Sequence, residues 1–274
     1  MPVISLEEYE FLLSRLNDLH DVEFVHERTG YPFEMLLNIL AKKITRNTLR
    51  NYYVVKKKSK ILKQRWLLGE SITFIAKKEN FPPVLIASFI MSELGYSKRK
   101  IKEFIRNPEL VEDKRLRLEL EKAVQEDFVY SPASSEAQAK NGRRAEDFIA
   151  EWLDKNKVPY QTEVESREKG LSKTPDFLLK KKILIKGREV NWIESKSSFG
   201  DPYEVRRNSR LQLSYYVKMF GPGAVVYWYG YVEGLKPRGF ILLTKEDLKQ
   251  KDLIKKISLT RRQAHKPRRS KKAR

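Results

Sequence analysis

The sequence predicts two kinds of structure in one chain: an all-helical N-terminal region and, after it, an α/β domain with a mixed central sheet. The first observation is an internal repeat of helical pattern within the first hundred residues. The second is a change to β-branched and aromatic segments, broken by glycine and proline, in the second half. The third is the length of 274 residues, which suits two domains of ordinary size.

The repeat relates residues 21–40 to residues 71–90 at an offset of fifty. In each copy a short apolar-periodic helix is followed by Gly30 or Asn80, residue types that tolerate the left-handed conformation that ends a helix. An aromatic residue and a proline come next, and proline favours the start of a helix. Each copy therefore predicts a helix, a tight turn and a second helix, which resembles the helix-turn-helix of many DNA-binding proteins.

In such modules the second helix enters the major groove, which makes residues 33–43 and 83–94 the two candidate recognition helices. The first copy continues into a basic stretch, from Lys42 to Arg65, that holds ten Lys/Arg and no acid. The second copy carries little charge, so we also consider a purely structural role for it, and protein binding by the whole bundle. The candidate nucleic-acid-binding residues are Lys42, Lys43, Arg46, Arg50, Lys56, Lys57 and Lys58.

The net charge of +20 indicates a polyanionic partner because the positive charge is clustered. The last twenty residues alone contain ten Lys/Arg and no acid. We therefore expect nucleic acid, with DNA ahead of RNA, as the partner. The absence of Cys agrees with an intracellular setting, cytoplasmic in a prokaryote and nuclear or cytoplasmic in a eukaryote. No apolar run approaches the ~20 residues that span a bilayer, so no membrane association is expected.

A change of composition near the middle of the chain sets the domain boundaries. Residues 129–140 are poor in large apolar groups and rich in Ser and Ala, as is typical of a linker. The predicted organisation is a helical tandem helix-turn-helix region at 1–128, a linker at 129–140, an α/β domain at 141–254 and a basic, disordered tail at 255–274.

The α/β domain is expected to run helix, three strands, helix and strand. Its first helix is amphipathic, with Phe148, Ile149 and Leu153 facing inward. The pair Lys186–Gly187 predicts a hairpin turn between two strands. A helix on each side of the sheet is the natural packing for this order of elements.

Two carboxylates and a lysine fall on neighbouring strands of this domain. Asp176 opens one strand, and Glu194 and Lys196 share a face of the next, since residues two apart in a strand point the same way. Two carboxylates meeting in a poorly solvated place repel each other, and Mg²⁺ or Mn²⁺ resolves that conflict. The sequence therefore predicts a metal site, with Lys196 directed at a water, so that Lys196 and Glu194 need not form a salt bridge. The alternative is an ordinary ion pair of Glu194 with Lys196 on an edge strand. Glu146, on the first helix, is a candidate third carboxylate.

The arrangement of a Pro-Asp pair in "KTPDF" followed by Glu-x-Lys in "NWIESKSSFGD" resembles the PD-(D/E)xK nuclease superfamily. The predicted order of elements is similar to its restriction-endonuclease-like core. The resemblance implies that Glu146 joins Asp176 and Glu194 as a metal ligand. Gln212 and Tyr216, in a Q-xxx-Y spacing, resemble the extra motif of the RecB-like branch, which helps to fix the site and the DNA. The candidate catalytic residues are Asp176, Glu194, Lys196, Glu146, Gln212 and Tyr216.

Together with "FGPGAVVYWYG", the same segments resemble the TPD-motif family, which has a codanin-interacting animal member and archaeal relatives. The resemblance implies an Mg/Mn-dependent deoxyribonuclease that cuts phosphodiester bonds in structured or duplex DNA, leaving 3′-hydroxyl and 5′-phosphate ends. It also implies a codanin-like protein as a candidate partner. Junction-cutting relatives of the fold are often dimers, so a homodimer is a candidate assembly. Two alternatives stay open: a nuclease acting on RNA, and a non-catalytic DNA-binding or scaffold protein with a nuclease-like fold.

Overall fold

The computed structural model describes residues 2–171, 173–250 and 253–255. A 3₁₀ turn (Pro108–Leu110) and a π-helical segment (Ser209–Leu213) interrupt the regular elements. The helices are α1 (Leu6–Arg15), α2 (Leu19–Thr29), α3 (Phe33–Lys57), α4 (Ser59–Leu67), α5 (Ile72–Glu79), α6 (Pro83–Glu93), α7 (Lys98–Arg106), α8 (Lys114–Glu126), α9 (Pro132–Lys155), α10 (Glu163–Glu168), α11 (Pro202–Asn208), α12 (Ser214–Phe220) and α13 (Lys245–Leu248). The strands are β1 (Val3–Ile4), β2 (Tyr160–Thr162), β3 (Phe177–Ile185), β4 (Arg188–Lys196), β5 (Gly223–Tyr227), β6 (Tyr231–Val232), β7 (Phe240–Thr244) and β8 (Ile254–Lys255).

The two repeat copies have the same local geometry at their turns. α2 ends at Gly30 (φ 71°) and α5 at Asn80 (φ 47°), both in the left-handed region. The following helices begin after Pro32 and Pro82, whose φ is −56° in both and whose ψ is 130° and 131°. The repeat therefore specifies the same helix, turn and helix twice, as the sequence predicts.

The second helices of the two copies differ in length and in burial. α3 has 25 residues and extends well beyond the predicted 33–43, since no Gly or Pro interrupts it before Lys57. α6 packs against α4, α5, α7 and α8, and its buried residues face all of them. It is the centre of a helical core, so residues 83–94 do not present an exposed recognition helix. The buried residues of α6 are Val84, Ile86, Ala87, Phe89, Ile90 and Met91.

The segment predicted as a linker, 129–140, is helical from Pro132 onward. α9 begins after Ser131, whose hydroxyl accepts a hydrogen bond from the backbone N–H of Ser134, and continues without a break to Lys155. Proline costs nothing in the first turn, and alanine sustains the helix that follows. The Ser-Ala composition was therefore misread as flexible, and one continuous helix joins the helical region to the α/β domain.

The sheet of the α/β domain is mixed, as predicted. Its strand order is β2-β3-β4-β5-β7, and β8 also pairs with β3. The pairs β2/β3, β3/β4 and β3/β8 are antiparallel, whereas β4/β5 and β5/β7 are parallel. One face packs against α9 through Ile149 and Leu153, and the other face packs against α11 and α12 through Trp192. The sheet is therefore covered on both sides.

The hairpin β3–β4 turns at Lys186–Gly187, where both residues have positive φ (49° and 75°), so the predicted turn is confirmed. The register changes along the hairpin: Ile183 faces Val190, but Leu178 faces Trp192. Between these two pairs β3 has three more residues than β4, and the strand bulges outward at three exposed lysines. These lysines are Lys180, Lys181 and Lys182.

The N-terminal helices and the α/β domain share a hydrophobic core. β1 pairs with β6 in parallel, and Tyr9 of α1 stacks on Phe199 with ring centroids 5.7 Å apart. Among the residues described, no helix is both long and apolar enough to cross a membrane. The predicted basic tail lies outside the described residues from position 256 onward.

Candidate active site

Asp176 and Glu194 meet across the β3–β4 hairpin. Continuing the register of Phe177 with Ile193 places Asp176 opposite Glu194. The backbone N–H of Asp176 donates to Glu194 Oε2 at 3.3 Å, and the N–H of Ser195 donates to Asp176 Oδ2 at 2.7 Å. Glu194 is only 3% exposed. The two carboxylates thus share one poorly solvated place, as the sequence predicts.

The pKa values of both carboxyls are raised, because the two groups are buried close together. Burial, followed by the nearby charge of Glu194, raises the pKa of Asp176 to about 8. Burial also raises the pKa of Glu194, although the ammonium of Lys196 acts in the opposite direction. The chain's own cations and donors therefore leave negative charge here incompletely compensated.

Lys196 lies on the same face of β4 as Glu194 and pairs with it directly. Its Nζ donates to Glu194 Oε1 at 2.7 Å and to Gln212 Oε1 at 2.9 Å. The sequence predicts that these two charges need not form a salt bridge. In the structure they do form one, because residues two apart on a strand are within reach of each other. The Lys196 side chain is nevertheless 21% exposed, in contrast to that of Glu194.

Gln212 and Tyr216 form one hydrogen-bonded chain with the strand residues. Gln212 Nε2 donates to Glu194 Oε1 at 2.8 Å and to the Tyr216 hydroxyl at 2.7 Å. The Tyr216 hydroxyl donates to the carbonyl of Thr174 at 2.6 Å. Gln212 lies in the π-helical segment, and π segments are frequent at functional sites. The structure thus links the Q-xxx-Y spacing to both the Thr-Pro-Asp and the Glu-x-Lys segments.

Glu146 lies near this cluster on α9 but makes no hydrogen bond with it among the described residues. Its charge contributes to the raised pKa of Asp176. Desolvation, and then the charges of Glu163 and Glu194, raise the pKa of Glu146 itself. Glu146 is therefore an exposed, more distant carboxylate at the edge of the cluster.

Only one group of three acidic or histidine side chains in the described chain brings its ligand atoms within 4.8 Å of one another: Asp18, His20 and Asp21. This group stands at the start of α2, where Asp18 Oδ1 accepts the N–H of Asp21 as a helix cap. Helix capping therefore explains why these three side chains lie close together. The predicted triad of Glu146, Asp176 and Glu194 does not converge to that distance.

Three of the predicted nucleic-acid-binding residues are engaged inside the molecule. Lys42 pairs with Glu204 and donates to the carbonyl of Phe199, and Arg46 pairs with Asp201. Lys43 donates to the carbonyls of Leu13 and Leu16, at 2.7 and 2.8 Å, and so caps α1. A run of cations along a sequence does not show which of them faces solvent.

The other four predicted residues, Arg50, Lys56, Lys57 and Lys58, are exposed on α3 and just beyond it. Lys58 pairs with Glu79 at 2.7 Å. Within the part of the chain that the structure describes, the first three form no ion pair.

Asp201 and Glu204 were missed by the sequence analysis. Asp201 is fully buried, caps α11 through the N–H groups of Tyr203 and Glu204, and balances Lys42 and Arg46. The preceding loop packs onto α3, where the Phe199 N–H donates to Asn38 Oδ1 at 2.7 Å. The Asp-Pro pair at 201–202 is a helix-start signal, but nothing local identifies its partners on α3.

The donor set of this site fits a hard divalent cation. Asp176 and Glu194 offer carboxylate oxygens, the ligands that Mg²⁺ and Mn²⁺ prefer. Asp176 Oδ1 accepts no hydrogen bond from any residue that the structure describes. Burial raises the pKa of both carboxyls, and a bound cation would favour the charged forms that burial disfavours.

Comparison with known proteins gives a consistent picture. Residues 112–246 match the family model described as "Protein of unknown function TPD sequence-motif". The chain is similar to CDAN1-interacting nuclease 1 of Mus musculus, with 31% identity over 178 residues, 61% of this chain and 63% of that protein. The protein of that name from Danio rerio is 33% identical over 149 residues, 53% of this chain and 50% of its own length.

The Homo sapiens protein of the same name is 30% identical over 178 residues. The chain thus spans less than two thirds of the length of these curated relatives. No solved structure shows a significant match to the chain.

Proposed function

We propose that the chain is an Mg²⁺- or Mn²⁺-dependent nuclease of the PD-(D/E)xK type that hydrolyses phosphodiester bonds in structured or duplex DNA. The observation that carries the proposal is the pair of buried carboxylates, Asp176 and Glu194, joined to Lys196 and Gln212 in one hydrogen-bonded cluster. The similarity to proteins named as nucleases supports the same activity. Strongly perturbed pKa values cluster at functional sites, so the burial and the raised pKa of these two carboxyls favour a functional role.

Asp176 and Glu194 would hold the ion, and Glu146 would support it from the edge of the site. The ion would polarise a phosphate oxygen and neutralise the charge that develops in the transition state. Lys196 donates two of its three N–H groups to Glu194 and Gln212, which leaves one that can donate to a water or to a phosphate oxygen. Gln212 and Tyr216 fix the positions of Glu194 and Lys196.

Two substitutions test the assignment. Asp176→Asn keeps the oxygen that accepts the Ser195 N–H but removes the charge, and Lys196→Ala removes the ammonium. Both should abolish cleavage of a panel of labelled flap, junction, duplex and single-stranded DNA with Mg²⁺ or Mn²⁺, while nucleic-acid binding is kept. Asp147→Asn, a neutralised acid on the exposed side of α9, is the matched control and should cut normally.

Undiminished cutting by both site variants would overturn the mechanism. Binding of DNA without cutting and without Mn²⁺ binding would indicate a scaffold protein instead. Selective cutting of the RNA versions of the panel would assign RNA as the substrate in place of DNA.

The name of the similar animal proteins states an interaction with CDAN1. We extend that to this chain as a proposal for a codanin-like partner. Co-purification of such a protein with the full chain tests it, and failure to associate at micromolar concentration would oppose it.

A further inference from the structure

Two groups of exposed cations lie on helices that meet beside the candidate active site. α11 and the π segment carry Arg206, Arg207 and Arg210, and none of these pairs with a carboxylate among the residues described. Gln212, two residues after Arg210, already bonds to Glu194 and Lys196. These arginines therefore lie on the segment that extends directly from the candidate active site.

α11 is joined to α3 at a defined point. The Arg46 guanidinium stacks over the ring of Tyr203 at 4.6 Å from its centroid and pairs with the buried Asp201. Arg206 and Arg207 follow Tyr203 at three and four residues, so they share its face of the helix. The cations of α11 thus continue onto α3 through one stacked pair.

Beyond Arg46 the outer face of α3 alternates cations with an aromatic ring. Arg50, Tyr53 and Lys57 follow at intervals of four, three and four residues, which keeps them within about 60° of arc around the helix axis. Tyr53 is 75% exposed, and no helix in the described chain covers it. This stripe is about 16 Å long, from eleven residues at 1.5 Å each.

The pattern fits a single strand better than a duplex. Stacked bases in a duplex hide their faces, which would leave the ring of Tyr53 without a partner, whereas an unpaired strand offers a base to each ring and a phosphate to each cation. Neither predicted recognition helix is free to enter a major groove, because residues 33–43 are packed or paired and α6 is buried.

We infer that the face formed by α11 and the outer side of α3 binds a single-stranded arm of the nucleic acid next to the bond that is cut. The inference rests on the proposed nuclease function for the reaction, but binding along this face does not depend on it. The substrate would then be a structure that joins duplex to single strand, such as a flap or a splayed junction.

The test measures binding by the full chain carrying Asp176→Asn, in EDTA, so that no cleavage occurs. The ligands are a fluorescent 20-nucleotide single strand and a blunt 20-base-pair duplex. Arg206→Gln/Arg207→Gln/Arg210→Gln should weaken single-strand binding roughly tenfold or more and lower the slope of log K against log salt by about 2, close to 0.7 per lost phosphate contact. Tyr53→Ala should weaken it roughly tenfold, as loss of one stacked base does.

Matched controls separate this face from general electrostatics. Lys98→Gln/Arg99→Gln/Lys102→Gln removes three exposed cations of α7 that pair with no carboxylate among the described residues. Phe24→Ala removes an exposed ring that lies under a cation, Arg28. Both should bind the single strand almost normally.

Equal losses in test and control variants, or a preference for the blunt duplex that the α11 variant does not change, would overturn the inference. If the wild-type protein cuts DNA but gives such a binding result, the nuclease proposal stands and this inference fails. If the protein does not cut DNA but shows the expected binding losses, the inference stands and the nuclease proposal fails.

Discussion

Two buried clusters of charge in this molecule have opposite balances. The cluster between α3 and α11 sets Lys42 and Arg46 against Asp201 and Glu204, two positive groups against two negative ones. The cluster on β3 and β4 sets two carboxylates against one lysine, with a third carboxylate, Glu146, nearby. The first cluster is complete within the chain, whereas the second lacks positive charge. The difference agrees with a structural role for the first cluster and with the metal-binding role proposed for the second.

The largest effect should come from removing one carboxylate of the deficient cluster. Glu194→Gln should lower the rate of DNA cleavage by about 1000-fold, equivalent to ~4 kcal/mol of transition-state stabilisation, because it removes a predicted ligand and releases Lys196. Initial rates with Mn²⁺ measure it. Glu204→Gln makes the same chemical change in the balanced cluster and should reduce the rate less than tenfold. Similar losses in both variants would remove the functional distinction between the clusters.

The balanced cluster should respond in stability instead. Asp201→Asn keeps the oxygen that caps α11 but removes the charged partner of the buried Arg46 and leaves Lys42 paired with Glu204 alone, which should cost about 3 kcal/mol of unfolding free energy. Chemical denaturation monitored by tryptophan fluorescence gives the value. Asp113→Asn, the same change at the exposed cap of α8, is the control and should cost about 0.5 kcal/mol or less. Equal costs at the two positions would show that burial of the cations does not matter.

Divalent ions should stabilise the protein through the deficient cluster alone. At a concentration about 100 times the dissociation constant, Mn²⁺ should add ~2.7 kcal/mol to the free energy of unfolding. The midpoint of thermal unfolding, with and without EDTA, reports it. Glu194→Gln should lose the response and Asp201→Asn should keep it. A response that survives in Glu194→Gln would place the ion elsewhere.

The smallest expected effect is the pH dependence of the free energy of unfolding in the metal-free protein. The pKa of Asp176 rises from 3.8 to about 8 on folding, so folding disfavours its charged form. Its contribution to stability is therefore lost progressively as pH rises from about 4 toward 8. Asp176→Asn should consequently gain stability relative to wild type over that window, reaching about 1–2 kcal/mol at pH 8 after allowance for screening. Denaturation in EDTA at a series of pH values checks it, and a difference that stays constant with pH would contradict it.

Local signals in the sequence predicted much of the fold. Gly30 and Asn80 end helices, Lys186–Gly187 turns a hairpin, and Glu194 shares a face with Lys196, because each depends only on residues next to it. The predictions were wrong where contacts with residues distant in the sequence determine the environment of a side chain. Lys42 and Arg46 look like surface cations until Asp201 is placed beside them by the fold. The helix that begins at Pro132 was misread because its Ser and Ala residues suit a coil as well as a helix.

The meeting of Asp176 and Glu194 depends on unequal arms of one hairpin. Asp176 stands nine positions before Ile185, but Glu194 only six after Arg188, and the three-lysine bulge absorbs the difference. Deleting those lysines would make the two arms equal and leave Asp176 opposite Glu194, whereas drawing them into the ladder without a deletion would carry Asp176 about 10 Å along its partner strand, level with Ser197. The spacing of eighteen residues therefore includes the three residues of the bulge, and a homologous hairpin with a shorter bulge would bring its two carboxylates together at a correspondingly shorter spacing.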